Sequence, residues 1–304
     1  MAYEAMNPPI AAANSFANRT VLVTGSAGKL GRVICRGFAE AGANVVVNDI
    51  NAYGVSEIVT QLTAAGHSAY GIICSASTSA AQIVAQTIKK YGRIDAVVNP
   101  TLGPIPWKPL EELSDDDFRT VFEANVLGPI SITKAAWPHF QAQKFGRVVN
   151  FTSDSMLGFP TASAYTLTKG ALFGVNKTLA MEGAPHNIKV NCVSPIAYAA
   201  SMEPHITRFS SDIQNAFRTI YTPDANVPTI MALCSENCEI TGEVFNTAGW
   251  AAGRNVWGYK AGVNGLKTME QALEKLKAIT EKTDEVFEPS SMIELSEWQS
   301  KYVL

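Results

Sequence analysis

The sequence predicts an α/β fold: a doubly wound parallel sheet of about seven strands, with helices on both faces and a helical C-terminal extension. Three observations predict it. Short β-branched runs alternate with longer amphipathic stretches, the rhythm of βαβ units. The apolar runs are continuous rather than alternating, as in strands covered on both faces. Near the N-terminus, one strand runs through a glycine-rich turn straight into a helical stretch. The chain has 304 residues, 47% apolar and 17% charged. It can therefore bury a large core, which excludes disorder over most of its length.

The elements follow in order. The first strand, 20–24, is Thr-Val-Leu-Val-Thr, and a helix at 29–41 follows its glycine turn, closed by Gly42 at the left-handed cap position. A second strand, 44–49, ends on Asp49, and a helix at 55–65 is closed by Gly66. Strand 69–73 precedes a helix at 79–91, and strand 94–99 ends on Asn99. A long helix, 114–141, opens on Ser114 and three aspartates, which complement the helix dipole. Strand 146–152, helix 163–183 and strand 189–193 come next, then helix 223–234 and strand 243–246. Residues 195–221 form an insertion that overhangs the carboxyl edge of the sheet, where such folds bind ligands. The remaining 249–304 contains a helical run, 267–282, and buries too little to stand as a domain of its own. The expected organisation is a tail at 1–18, one dinucleotide-binding catalytic domain at 19–249 and the extension at 250–304.

Composition removes several function classes. Lys plus Arg is 24 and Asp plus Glu is 27, a net charge of −3, which argues against a nucleic-acid partner. No apolar run is long enough to cross a bilayer, and the first twenty residues do not read as a secretory signal. The five cysteines are odd in number and scattered, as expected for reduced, mostly buried thiols. Cys234 and Cys238 stand four apart on a helix, but no second Cys or His pair completes a zinc set, so no metal is expected. The chain ends Lys-Tyr-Val-Leu, not the peroxisomal Ser-Lys-Leu, so the expected location is cytoplasmic.

Two motifs carry chemistry. Thr24-Gly25-Ser26-Ala27-Gly28-Lys29-Leu30-Gly31 links a strand to a helix, letting backbone amides approach a pyrophosphate. Asp49, one strand later, can accept hydrogen bonds from an adenosine ribose and repels a 2′-phosphate, which favours NAD. Lys29 pulls the other way, because it can pair with an extra phosphate, so NADP stays open. Tyr165 and Lys169, four apart on one helix, place a phenol beside an ammonium. A tyrosine with its usual pKa near ~10 must drop about three units to act as a base at neutral pH, roughly 4 kcal/mol of phenolate stabilisation. A neighbouring ammonium and a cationic nicotinamide supply such stabilisation. Ser153, twelve residues before Tyr165 at the end of a strand, can hold a substrate oxygen, and Asn125 is a fourth candidate.

Together these residues resemble the short-chain dehydrogenase/reductase family. The matching positions are Thr24–Gly31, Asp49, Asn99, Asn125, Ser153, Tyr165, Lys169 and the run Val190 to Pro195, within a resemblance covering about 20–249. The resemblance implies a Rossmann-type fold, Tyr165 as acid and base, Lys169 on the nicotinamide ribose, Ser153 on the substrate oxygen and Asn125 in a water-mediated proton relay. It implies NAD or NADP held by Thr24, Gly25, Ser26, Gly28, Lys29, Leu30, Gly31, Asp49, Asn99, Tyr165, Lys169 and Pro195. It also implies a homodimer or homotetramer assembled through the helices at 114–141 and 163–183.

Within the family the chain resembles the (3R)-hydroxyacyl-CoA dehydrogenase units of peroxisomal multifunctional enzymes, on Val45 to Asp49, Ala180 to Gly183 and Leu233 to Glu239. Further matches are Ala248 to Trp250 and Lys260 to Gly262. Lys29 replaces a glycine of that branch, Pro100 follows Asn99, and Ile196 follows Pro195 in place of glycine. The loop Gly103 to Pro109 carries prolines and Trp107 where the branch has an arginine-aspartate motif. The expected substrate is thus a 3-hydroxyacyl thioester or a specialised-metabolite ketone or alcohol, contacted by Trp107, Ser153, Tyr165 and Tyr198. The alternative left open is a non-redox cofactor-binding protein, a cyclase or an isomerase on the same scaffold.

Overall fold

The computed structural model describes residues 14–207 and 209–259, together with 268–269, 271–272, 275–276, 286–290 and 294–295. Two units are distinguished, Met1–Arg254 and Asn255–Leu304. The first holds the sheet's seven parallel strands: β1 (Thr20–Thr24), β2 (Asn44–Asp49), β3 (Ala69–Ile73), β4 (Ala96–Asn99), β5 (Gly146–Phe151), β6 (Ile188–Pro195) and β7 (Val244–Ala248). An eighth, β8 (Ala251–Asn255), lies next to β7 and was not expected. Its two-residue link is Gly249 and Trp250, at φ 55° and 68°. Two successive positive φ values form the tight turn that reverses a strand on its neighbour. The strand order is β3-β2-β1-β4-β5-β6-β7-β8, so the winding reverses between β1 and β4. Ligands bind at the carboxyl ends of strands beside such a reversal.

The helices are α1 (Lys29–Glu40), α2 (Ala52–Ala64), α3 (Ala76–Tyr91), α4 (Asp115–Phe122), α5 (Gly128–Gln143), α6 (Ser163–Gly183), α7 (Glu203–Ile206), α8 (Ser211–Thr219) and α9 (Val227–Cys234). Asn51 caps α2 by accepting from Gly54 N, three residues before the expected start, and Ser114 and Asp117 form a reciprocal capping box on α4. The expected helix at 114–141 is two helices joined by a π-helical turn, Glu123–Leu127. The insertion at 195–221 folds into a short 3₁₀ turn, α7 and α8. Most of the expected helix at 267–282 and most of the expected tail lie outside the described residues. Phe16 is described, and it is buried edge-on against Phe38.

Alternate residues of each strand enter two cores. Val21, Val23, Val45, Val47, Val98, Val149 and Val193 pack under α1, α2 and α9. Leu22, Val46, Val97, Val148 and Val190 pack under α3 and α5 on the other face. Near the carboxyl edge of this second face the apolar row stops. Asn48, Thr24, Asn99, Asn150 and Cys192 stand side by side across β2, β1, β4, β5 and β6. The cluster described next lies just beyond this polar row.

Candidate active site

The glycine turn is built by close approach. Gly25 has φ +61°, and a Cβ there would stand 2.7 Å from Thr101 Cα, while one on Gly31 would stand 2.5 Å from Gly25 O. Gly28 is the N-cap of α1 and offers no side chain to the first helical amides, and the first turn holds no acidic residue. An uncapped helix start of this kind fits an anionic group such as a dinucleotide diphosphate. Ser26 Oγ donates to Asn48 O at 3.0 Å, and Thr24 Oγ1 donates to Asn99 Oδ1 at 3.0 Å. Both hydroxyls are therefore engaged in shaping the turn. Asp49 Oδ2 accepts from Ala27 N at 2.9 Å and Oδ1 from Asn51 N at 2.9 Å. The same carboxylate thus braces the turn and starts α2, with lone pairs left on both oxygens. Leu30 is half-buried against the core under α1.

Three sequence-predicted side chains meet beyond β5. Ser153 precedes a 3₁₀ turn, Asp154–Leu157, and its Oγ accepts from Ser155 N at 3.2 Å. The Ser153 hydroxyl lies near enough to the Tyr165 phenol to ease its ionisation. Lys169 Nζ lies 5.6 Å from the centre of the Tyr165 ring and donates to Phe151 O at 2.7 Å. Thr152 Oγ1 donates to Lys169 O, tying α6 to the end of β5. Burial pushes the Tyr165 phenol above its ordinary value; the Ser153 hydroxyl opposes this and the Asp154 charge adds to it. Burial pulls Lys169 down to about 8, with Cys192 working against the shift. Within the chain, burial therefore favours the neutral phenol of Tyr165.

Asn125 sits fully buried in the π-helical turn. Its Oδ1 accepts from Gly103 N at 2.7 Å and its Nδ2 donates to Thr168 Oγ1 at 3.2 Å, which in turn donates to Tyr165 O at 2.7 Å. Asn125 thus joins the loop after β4 to the helix that carries the tyrosine. One amide hydrogen and one oxygen lone pair are left for a further partner.

Trp107 and Phe159 form an edge-on pair with ring centres 5.7 Å apart, and Lys108 N donates to Thr161 O at 3.1 Å. The proline-rich loop after β4 is thereby docked on the segment between Ser153 and Tyr165. Pro195 ends β6, and Tyr198 follows it with its Oη donating to Glu203 Oε1 at 2.6 Å. Arg218 grips both oxygens of Glu203, at 2.9 and 2.8 Å, and with Tyr198 holds that carboxyl down at about 2.

Sequence reasoning missed Asp154, which accepts from Ser194 Oγ at 2.7 Å and from Asn246 Nδ2, joining the turn after β5 to β6 and β7. It missed Thr101, which donates to Thr24 Oγ1 at 2.8 Å, and Asn150, whose Oδ1 accepts from Asn99 Nδ2 at 2.9 Å. Asn150 interrupts a buried strand near its carboxyl end, whereas Asp154 and Thr101 lie past the strand ends, and their partners depend on register across the sheet. Among the described residues no group of three or more His, Cys, Asp or Glu could hold a metal, and no helix is long and apolar enough to cross a membrane.

Residues 19–210 match the family model for short chain dehydrogenases. A peroxisomal hydratase-dehydrogenase-epimerase of Saccharomyces cerevisiae is 30% identical over 292 residues, covering 90% of this chain and 31% of the relative. The chain thus spans about a third of the length of such multifunctional relatives. A hydroxy(phenyl)methylsuccinyl-CoA dehydrogenase subunit of Thauera aromatica is 37% identical over 180 residues, covering 59% of this chain and 72% of the relative. Among solved structures, an NAD+-bound xylitol dehydrogenase superposes with a TM-score of 0.70 at 25% identity, covering 77% of this chain and 99% of that one.

Proposed function

The chain belongs to the short-chain dehydrogenase family and is an oxidoreductase acting on CH–OH groups; from that premise we propose that it moves a hydride between a nicotinamide cofactor and a secondary alcohol or ketone, with Tyr165 as acid and base. The observation that carries this reading is the meeting of Ser153, Tyr165 and Lys169 beyond β5. When bound, the cofactor supplies the acceptor or donor of hydride. The turn at 24–31 would hold its diphosphate, Asp49 its adenosine ribose and Lys169 its nicotinamide ribose, with Asn99 and Pro195 bordering the cleft. The two amide bonds already on Asp49 leave acceptor capacity for ribose hydroxyls, and a carboxylate at that place repels a 2′-phosphate, which supports NAD over NADP.

In the oxidising direction the Ser153 hydroxyl holds the alcohol oxygen, and the Tyr165 phenolate takes its proton as hydride leaves the carbon. In reduction the neutral phenol returns a proton to the forming alkoxide. Lys169 supplies a fixed cation near the phenol ring, and the link from Asn125 through Thr168 to Tyr165 O holds the helix in register. Two relatives that act on CoA thioesters or carry a peroxisomal dehydrogenase unit support a 3-hydroxyacyl thioester as the substrate. The Trp107–Phe159 pair supports a bulky apolar substituent beside the hydroxyl-bearing carbon.

The test is reduced-nicotinamide absorbance with a panel of 3-hydroxyacyl thioesters, aryl ketones and simple secondary alcohols. Tyr165→Phe is expected to lose at least about 100-fold in kcat, the usual share of acid–base catalysis. A variant that turns over at the wild-type rate would end the proposal.

A further inference from the structure

Lys29 is the cationic residue of the glycine turn. It is the first residue of α1, and its side chain is exposed. Its Nζ lies 6.0 Å from the centre of the Tyr198 ring. Among the described residues no carboxylate pairs with it, and the nearby Glu203 is already neutralised by Arg218.

The direction of the contact is informative. Tyr198 lies three residues past the end of β6, and β6 is three strands from β1 on the side opposite β2. Three strand spacings are about 14 Å, so the two side chains reach toward each other over the carboxyl ends of β4 and β5. Ser153 follows β5, so the contact crosses the mouth of the site described above. Asp49, at the end of β2, lies on the other flank of the turn. The Lys29 ammonium therefore points away from the place where a 2′-phosphate would sit.

We propose that Lys29 and Tyr198 form a clasp across the cofactor cleft, in which the ammonium rests on the ring in the free protein and takes a diphosphate oxygen when either NADH or NADPH binds. The inference rests on the reading of the glycine turn as a dinucleotide site. An exposed cation–π contact is weak beside a charge-assisted bond to phosphate, so the exchange runs toward the ligand. Tyr198 itself stays in place. Its Oη is held by Glu203, and its N donates to Tyr221 O at 2.7 Å.

Fluorescence titration with NADH and with NADPH tests the clasp, using wild type, Lys29→Met, Lys29→Arg and Tyr198→Leu. Lys29→Met is expected to weaken both cofactors about tenfold, one charge-assisted contact, with the ratio of the two affinities unchanged and the salt dependence reduced. Lys29→Arg restores most of the loss. Tyr198→Leu leaves NADH affinity equal or higher, because it removes only the resting place. A loss confined to NADPH would identify a 2′-phosphate contact and overturn the clasp, as would no loss in either titration or a loss in Tyr198→Leu as large as in Lys29→Met. Wild type that binds neither cofactor would overturn the dinucleotide reading itself, a different failure.

Discussion

At the scale of single residues, the site is assembled against the preferences of its parts. Lys169 is 3% exposed and donates its hydrogen bond to a backbone carbonyl. Burying that ammonium costs stability. Lys169→Met should therefore abolish turnover while stabilising the ligand-free protein at pH 7, by about 2 kcal/mol. The pH dependence has a definite sign. The folded lysine releases its proton near 8, below its ordinary 10.5, so between those values the unfolded chain binds more protons and wild-type stability rises with pH. The advantage of Lys169→Met should accordingly shrink as the pH climbs from 8, which urea unfolding at a series of pH values would reveal. A gap that stays constant would mean that the buried cation is not its source. Tyr165 is shifted the other way, since burial favours the neutral phenol. Ultraviolet difference spectra of the ligand-free protein against Tyr165→Phe should show no phenolate from this residue until the pH passes the ordinary tyrosine value. A phenolate at neutral pH without ligand would show that the protein alone ionises the residue.

At the scale of elements, the π-helical turn between α4 and α5 is what brings Asn125 to the site. One extra residue per turn rotates it inward, where its amide ties Gly103 N to Thr168 Oγ1. Asn125→Leu keeps the branching of the side chain but leaves a backbone donor without a partner, at about 1–3 kcal/mol. Its unfolding midpoint should fall by that amount, and turnover should fall further than stability explains because the loop bearing Trp107 loses its tether. An unchanged midpoint would mean that Gly103 N finds another acceptor. The periodicity of 114–141 could not announce this turn, because a π insertion leaves the apolar spacing of each half intact. Short β-branched and apolar runs between turn residues did mark β1, β2 and β3 to the residue. β8 escaped because Ala-Ala-Gly-Arg-Asn is exposed and has no apolar pattern; its strand is imposed by the reversing turn before it. Ser153, Tyr165 and Lys169 were legible because one helix and one strand end fix their spacing. Asp154, Thr101 and Asn150 were not, because their partners come from β1, β4, β6 and β7, and register across a sheet is not written in local sequence.

At the scale of the whole molecule, one face of α6 is left without a structural reason for its composition. The inward side of the helix carries Lys169, Leu172 and Asn176 to the sheet, and Tyr165 lies beside the site. The outward side presents Leu167 and Met181, 51% and 57% exposed. Between them, a Cβ on Gly170 or Gly174 would meet nothing within 4 Å. Glycine inside a helix costs roughly 0.5–1 kcal/mol relative to alanine, and among the described residues nothing requires it there. A second copy of the same helix packed closely against this face would require it, since small residues let two helices approach. That agrees with the assembly through α4, α5 and α6 that the family resemblance implies. Light scattering should then report a dimer or tetramer for wild type. Gly174→Leu, whose side chain enters open space in the single chain, should shift the mass toward monomer while its circular dichroism and folding midpoint hold or improve. A wild-type mass of one chain, or a Gly174→Leu protein that assembles as before, would show that this face has no partner.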